Sequence, residues 1–160
     1  MSDWQRPEPA PELKRLEPLV GEWESIDEHS PSDWASKGDK GKTRNKFYRA
    51  LDNYCYLVDV SGDAPFGKFK GHGIWFYDSK EAKYKIQWYD SFANHLHGTG
   101  DFLNDNELQF ELKYHMLNSE IIERHTIKNV TKNSYDFIIE TLIDGDFKLS
   151  SVSKYKRISF

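Results

Sequence analysis

The sequence predicts an all-β fold, about ten antiparallel strands wound up and down into a barrel behind one short N-terminal helix. Three observations predict it. Aromatic residues make up 15% of the chain, and these are the side chains that strand surfaces favour. Segments of about nine residues alternate apolar with polar positions, as in Leu108, Phe110, Leu112 and Tyr114 against Gln109, Glu111, Lys113 and His115. Turn signals such as Asp52-Asn53, Asn104-Asp105-Asn106 and Asp144-Gly145 separate the segments, with no second helical pattern between them. A meander of this length closes on itself because closure removes both unpaired edges, and a two-sheet sandwich is the topology that competes with it.

In chain order, residues 1–11 are polar and rich in proline and read as an extended arm; residues 12–160 read as a single barrel domain. Leu13 and Leu16 lie one helical turn apart behind Pro11, and Pro18 is expected to end the helix. The first strand runs from Val20 to His29, with Trp23, Ser25, Asp27 and His29 on one face and Glu22, Glu24 and Glu28 on the other. A long polar loop from Ser30 to Gly41, carrying an isolated Trp34, is placed to gate a barrel mouth. Strands follow from Lys42 to Leu51, Tyr54 to Ser61, Phe69 to Tyr77, Lys83 to Ser91 and His95 to Leu103. The last four run from Leu108 to His115, Ile121 to Lys128, Tyr135 to Leu142 and Phe147 to Ser159. The last strand is expected to return beside Trp23 and close the sheet.

Composition excludes several classes of function. The chain of 160 residues buries about two-thirds of its unfolded surface and needs no disulfide or metal staple. Cys55 is alone, so there is neither an internal disulfide nor a thiolate cluster for zinc. The net charge of -4, with Lys and Arg scattered, argues against nucleic acid and anionic membranes as partners. Asp3, Glu8 and Glu12 with no apolar run argue against a signal peptide or membrane span, which makes a cytoplasmic location the expectation.

Gly21-Glu22-Trp23 after a short helix, followed by a meander whose terminal strand carries Arg157, resembles the calycin superfamily of lipocalins and fatty-acid-binding proteins. That resemblance implies a lipocalin-type barrel in which Arg157 lies across the Trp23 ring as a structural closure. The whole chain is similar to an uncharacterised bacterial family, domain of unknown function 1579. The matching pieces are Pro9-Ala10-Pro11-Glu12, Leu19-Val20-Gly21-Glu22-Trp23, Gly71-His72-Gly73, Tyr77-Asp78, Trp88-Tyr89-Asp90-Ser91 and Tyr155-Lys156-Arg157. Where that family has Gly-Gly-Arg-Phe, Leu51-Asp52-Asn53-Tyr54 keeps only the aromatic. The resemblance implies the fold and adds no activity. Fatty-acid-binding proteins hold a carboxylate with Arg-x-Tyr on the terminal strand, whereas Tyr155-Lys156-Arg157 has the reverse order.

The residues themselves point to ligand binding without a catalytic centre, a cofactor or a metal. Period-two alternation turns Tyr84, Ile86, Trp88 and Asp90 inward, while Ser151 and Ser153 on the last strand replace bulky residues and leave space. Phe147, Leu149, Tyr155 and Arg157 share the face of those serines by the same count, and Arg44, Arg124 and Glu140 are further polar candidates for neighbouring walls. The expected ligand site is therefore His72, Tyr84, Trp88, Asp90 and Tyr155, and the expected ligand a small hydrophobic or amphipathic molecule with a polar or anionic end. An enzyme using an Asp90 and His72 pair is the alternative from another class, and a structural domain with a filled core is a third. His95-Leu96-His97 with Asp101 resembles the start of a cupin metal site but lacks its later ligands. A haem-binding barrel would need His72, His115 or His125 inside, because the last two strands carry no His.

Overall fold

A computed structural model describes residues 5–32, 38–65, 67–116 and 118–160. A 3-10 helix, Pro11–Leu19, leads into ten strands: β1 Gly21–His29, β2 Asp39–Ala50, β3 Cys55–Ala64, β4 Gly67–Asp78, β5 Lys83–Asp90, β6 His95–Asn104, β7 Glu107–Met116, β8 Ser119–Lys128, β9 Ser134–Ile143 and β10 Asp146–Ser159. All neighbours are antiparallel, and β1 pairs with both β2 and β10, so the sheet is a closed barrel and not a sandwich. Trp23 stands opposite Arg157, Ser25 opposite Tyr155 and Asp27 opposite Ser153.

The helix differs from expectation in type, for a visible reason. Leu13, Leu16 and Leu19 are spaced by three, and a helix of three residues per turn stacks them in one line. That line is buried and forms one cluster with Trp23, Phe47, Tyr56, Trp75, Tyr84, Leu108 and Phe110. Pro18 lies inside the helix and does not end it. The barrel wall satisfies the backbone carbonyls that the helix leaves open: Trp23 Nε1 donates to Leu19 O (2.8 Å), Tyr84 Oη to Glu12 O (2.7 Å) and Arg157 to the carbonyls of Pro18 and Val20. Arg49 binds the Glu17 carboxylate with both its Nε and Nη2, and Tyr56 Oη donates to Glu17 Oε2 (3.1 Å). The helix is thus a plug fixed into one end of the barrel, and the mouth lies at the other.

Two further expectations are corrected. β2 begins at Asp39, so the polar loop is shorter than the sequence suggests; residues 33–37, including Trp34, lie outside the described residues. Along β10, Leu149 pairs with Glu140 and Ser151 with Ile139, with a bulge between them. An inserted residue reverses the alternation, so Phe147 and Leu149 sit on the outer face while Ser151, Ser153 and Tyr155 point inward. Arg44, Arg124 and Glu140 are outward as well: Arg44 lies 3.8 Å from Glu24, and Arg124 stacks over Phe147 opposite Glu140.

Candidate functional site

Beyond the plug, the inward positions change from apolar to polar. Asp27, 5% exposed, accepts hydrogen bonds from Ser25 Oγ (2.6 Å) and Thr43 Oγ1 (2.5 Å). Beside it the rings of Tyr135 and Tyr155 stack at 4.6 Å, and Asn45 Nδ2 donates to Tyr135 Oη (2.6 Å). Burial, and then the negative charge of Asp27, hold the Tyr155 phenol well above its ordinary range. Ser151 and Ser153 complete this wall, and His29 lies on the same face of β1 one step nearer the mouth.

Across the interior stands a second polar group. Glu123 and His125 are two residues apart on β8 and therefore share a face, opposite the buried Leu112 and Phe110 of β7. Tyr114 Oη donates to Glu123 Oε1 (2.9 Å), and His125 Nε2 is 2.8 Å from Glu123 Oε2, with both side chains of that pair about 15% exposed. Burial raises the Tyr114 phenol strongly, and the Glu123 charge adds to the shift. A packed His125 edge against Phe137 fixes the imidazole.

Two buried polar atoms among the described residues have no hydrogen-bond partner in this interior: Trp75 Nε1 and Asn45 Oδ1. Trp75 is 8% exposed and is wedged edge-on against Phe47 and Phe110. Its Nε1 is 3.4 Å from where a Cβ on Gly73 would stand, so its N–H edge faces the mouth side of the ring.

The residues expected from sequence fall into three places. Trp88 and Asp90 are together on the inner face, with Trp88 Nε1 3.4 Å from Asp90 Oδ2. Asp90 also caps the β5–β6 turn, accepting the N–H groups of Phe92 (2.9 Å) and Asn94 (3.1 Å) and the Asn94 side-chain amide (3.2 Å). Tyr155 belongs to the Asp27 wall, whereas Tyr84 belongs to the plug, where burial pushes its phenol up to about 12. His72 points outward, because Gly71 and Gly73 take the inward positions beneath the Trp88 ring. Its Nδ1 is 2.7 Å from Asp59 Oδ1, Tyr48 Oη donates to Asp59 Oδ2 (3.0 Å), and the His72 hydrogen bond holds the Asp59 carboxyl below its usual range. Asp90 and His72 are therefore on opposite faces and not a pair.

The outer surface at His72 forms a groove of about 580 Å³ lined by Arg44, Lys46, Asp59, His72, Tyr89 and Ile158. Within it Lys46 lies 3.5 Å from Glu22 and Arg44 3.8 Å from Glu24. His95 and His97 are likewise outside, His95 stacked on Tyr89 at 4.5 Å, and His115 is exposed. Among the described residues no three His, Cys, Asp or Glu side chains gather to hold a metal ion, and no helix is long and apolar enough to cross a membrane. Sequence reasoning missed Glu123, Tyr114, Thr43 and Trp75. The Tyr114 and Glu123 contact was open to discovery through their inward phase on adjacent strands, but Glu123-Arg124-His125 places polar residues on both faces and hides the alternation.

Comparison with known proteins agrees with this architecture. The family model described as "Protein of unknown function (DUF1579)" matches residues 8–157. Among solved structures, Rv2717c from M. tuberculosis superposes with a TM-score of 0.67 at 10% identity, over 94% of this chain and 99% of that one. The S-type phycobiliprotein lyase CPES from Guillardia theta superposes with a TM-score of 0.53 at 15% identity, over 90% of each chain. At such identities the likeness concerns the fold alone. No curated protein is significantly similar to the chain.

Proposed function

The chain belongs to the DUF1579 family, whose description assigns no activity, and from its own walls we propose that it binds a small amphipathic molecule inside the barrel. The observation that carries this reading is the pair of buried, unpartnered polar atoms, Trp75 Nε1 and Asn45 Oδ1, inside a half-polar, half-aromatic enclosure. An unmade hydrogen bond in such a place costs about 1–3 kcal/mol per group, and a guest with polar atoms removes that cost. Trp88 offers an apolar face, while the Asp27 and Glu123 groups orient a polar end. Trp88, Asp90 and Tyr155 are the ligand-contacting residues on this reading. Tyr84 supports them from the plug, and His72 stabilises the wall from outside.

Native mass spectrometry of freshly purified protein tests it. The expected result is a retained species of a few hundred daltons that leaves on denaturation, in the size range that a barrel of about ten strands encloses. A bare mass, with no change in tryptophan emission when decanol is titrated in, would overturn the reading.

A further inference from the structure

We propose that the outer face of β8, β9 and β10 is the contact surface of a two-fold dimer, whose partner is a second copy of this chain. The outer wall of a soluble antiparallel barrel meets water, so its outward positions are expected to be polar. β9 breaks that pattern. Phe137 and Ile139 point inward, while Ile138 and Leu142 point outward with Glu140. A strand that is apolar on both faces reads as one covered on both faces. Its neighbours carry the same signal: Phe147, Leu149 and Val152 of β10 and Ile122 of β8 share the outward phase, and Leu149 is 49% exposed. Ile26 of β1, 62% exposed, extends the patch past Val152. The described part of the N-terminal arm does not supply the cover, because it is tied to Asp52 and Tyr54 at the β2–β3 turn.

Register and charge point to a second copy as the partner. Val152 stands opposite Ile138 and Phe147 opposite Leu142, and between these two apolar pairs Leu149, Glu140 and Arg124 form one row across the three strands. The middle of the patch therefore holds one carboxylate beside one guanidinium. Among the described residues the two do not come within ion-pair distance of each other, although they are direct neighbours; the guanidinium lies 3.7 Å over the Phe147 ring instead. A two-fold axis lying in the interface between them sets Arg124 against the partner's Glu140 and Glu140 against the partner's Arg124, one contact made twice. The apolar side chains pack around that centre. A row of Lys154, Asp136 and Lys128 borders the patch on its plug side, and an apolar centre with an arginine and an aromatic ring inside a polar rim is how protein interfaces are built. Two convex walls meet over a limited area, at the low end of specific interfaces, about 1,200 Å² in total, so the dimer dissociates on dilution.

Sedimentation velocity of the whole chain, from about 1 to about 200 µM, tests it. The wild type is expected to pass from monomer to dimer over this range. Leu149→Glu stays monomeric with an unchanged circular dichroism spectrum, while Ile74→Glu, on the outer face of β4, dimerises as the wild type does. Arg124→Glu and Glu140→Arg each set like charges across the two-fold and weaken self-association at least about tenfold. An equal mixture of these two variants restores the dimer, because each chain then meets the opposite sign on the other. A fault inside one barrel cannot be mended by mixing. A wild type that is monomeric throughout, a mixture of folded variants that does not dimerise, or an equal loss in Ile74→Glu overturns the two-fold contact. Binding of the monomer to phosphatidylcholine vesicles in place of self-association overturns it too. Should a charge variant fail to fold, Leu149→Glu against Ile74→Glu decides.

Discussion

Arg157 is the residue with the heaviest structural commitment. Its guanidinium lies 3.9 Å over the Trp23 ring and 4.5 Å from the Phe160 ring, and it donates to the carbonyls of Lys132 (2.6 Å), Val20 and Pro18 (2.8 Å). Gly21 makes room for it: a Cβ there would come within 2.3 Å of Arg157 Nη1, and its φ of +131° is one that side chains resist. Gly-x-Trp and the terminal Arg are thus one device, legible in the sequence only through family resemblance because its parts lie at opposite ends of the chain. Arg157→Lys keeps the charge but loses the planar face and most of the fork of donors. Thermal melting should show a loss of about 2 kcal/mol, with decanol affinity unchanged because the residue faces the plug and not the mouth. A large loss of affinity at constant melting temperature would make it a ligand anchor. The inward-facing residues were less legible, since Gly71-His72-Gly73 shows no alternation that would settle which face His72 takes, and the two glycines under the Trp88 ring determine it.

Strands β4 and β5 meet through a missing side chain. Trp88 lies so close over Gly71 that a Cβ there would stand 1.9 Å from Trp88 Cζ2, and Gly73 leaves only 3.0 Å to the same ring. Gly71-His72-Gly73 is therefore a seat for an indole, which a strand pattern alone presents as a weak, flexible stretch. Gly71→Ala should destabilise the barrel by about 1–3 kcal/mol by overpacking, and Trp88→Leu should recover part of that loss in the double variant, since the two positions are in contact. Chemical denaturation of the single and double variants measures the coupling; strictly additive effects would show that the ring does not rest there. Alternation gave the inward phase of β5 and β7 because their exposed faces are charged. It failed on β10, where one extra residue in the bulge leaves no mark in the pattern of polar and apolar side chains.

For the molecule as a whole, the interior contains phenols that burial keeps protonated. Burial raises Tyr84 to about 12 and raises Tyr114, Tyr135 and Tyr155 strongly, all above the value of about 10 for an unfolded tyrosine. A folded-state pKa above the unfolded one gives stability that is complete below about pH 10 and is lost as pH rises through the folded values, about 2 to 3 kcal/mol for Tyr84 alone. Absorbance at 295 nm should show these four of the nine tyrosines ionising only with the unfolding seen by circular dichroism; free titration of all nine before unfolding would contradict the packing. Ten strands and their closure were legible because they follow from turns and edges; of the polar interior Asp90, Ser151 and Ser153 were legible from alternation, while the contacts of Asp27 with Thr43 and of Tyr114 with Glu123 were not, because they depend on the register between strands. The pairing of β1 with β10 carries one more consequence, for the order of events at the ribosome. The first strand cannot find its second partner until the last has been made, so β1 waits through almost the whole of synthesis with an open edge, and so does each newest strand in turn. The Trp23 and Arg157 contact is a late lock with the longest loop to close, which makes slow final docking and a dependence on protection of the nascent edge the expected cost of this topology.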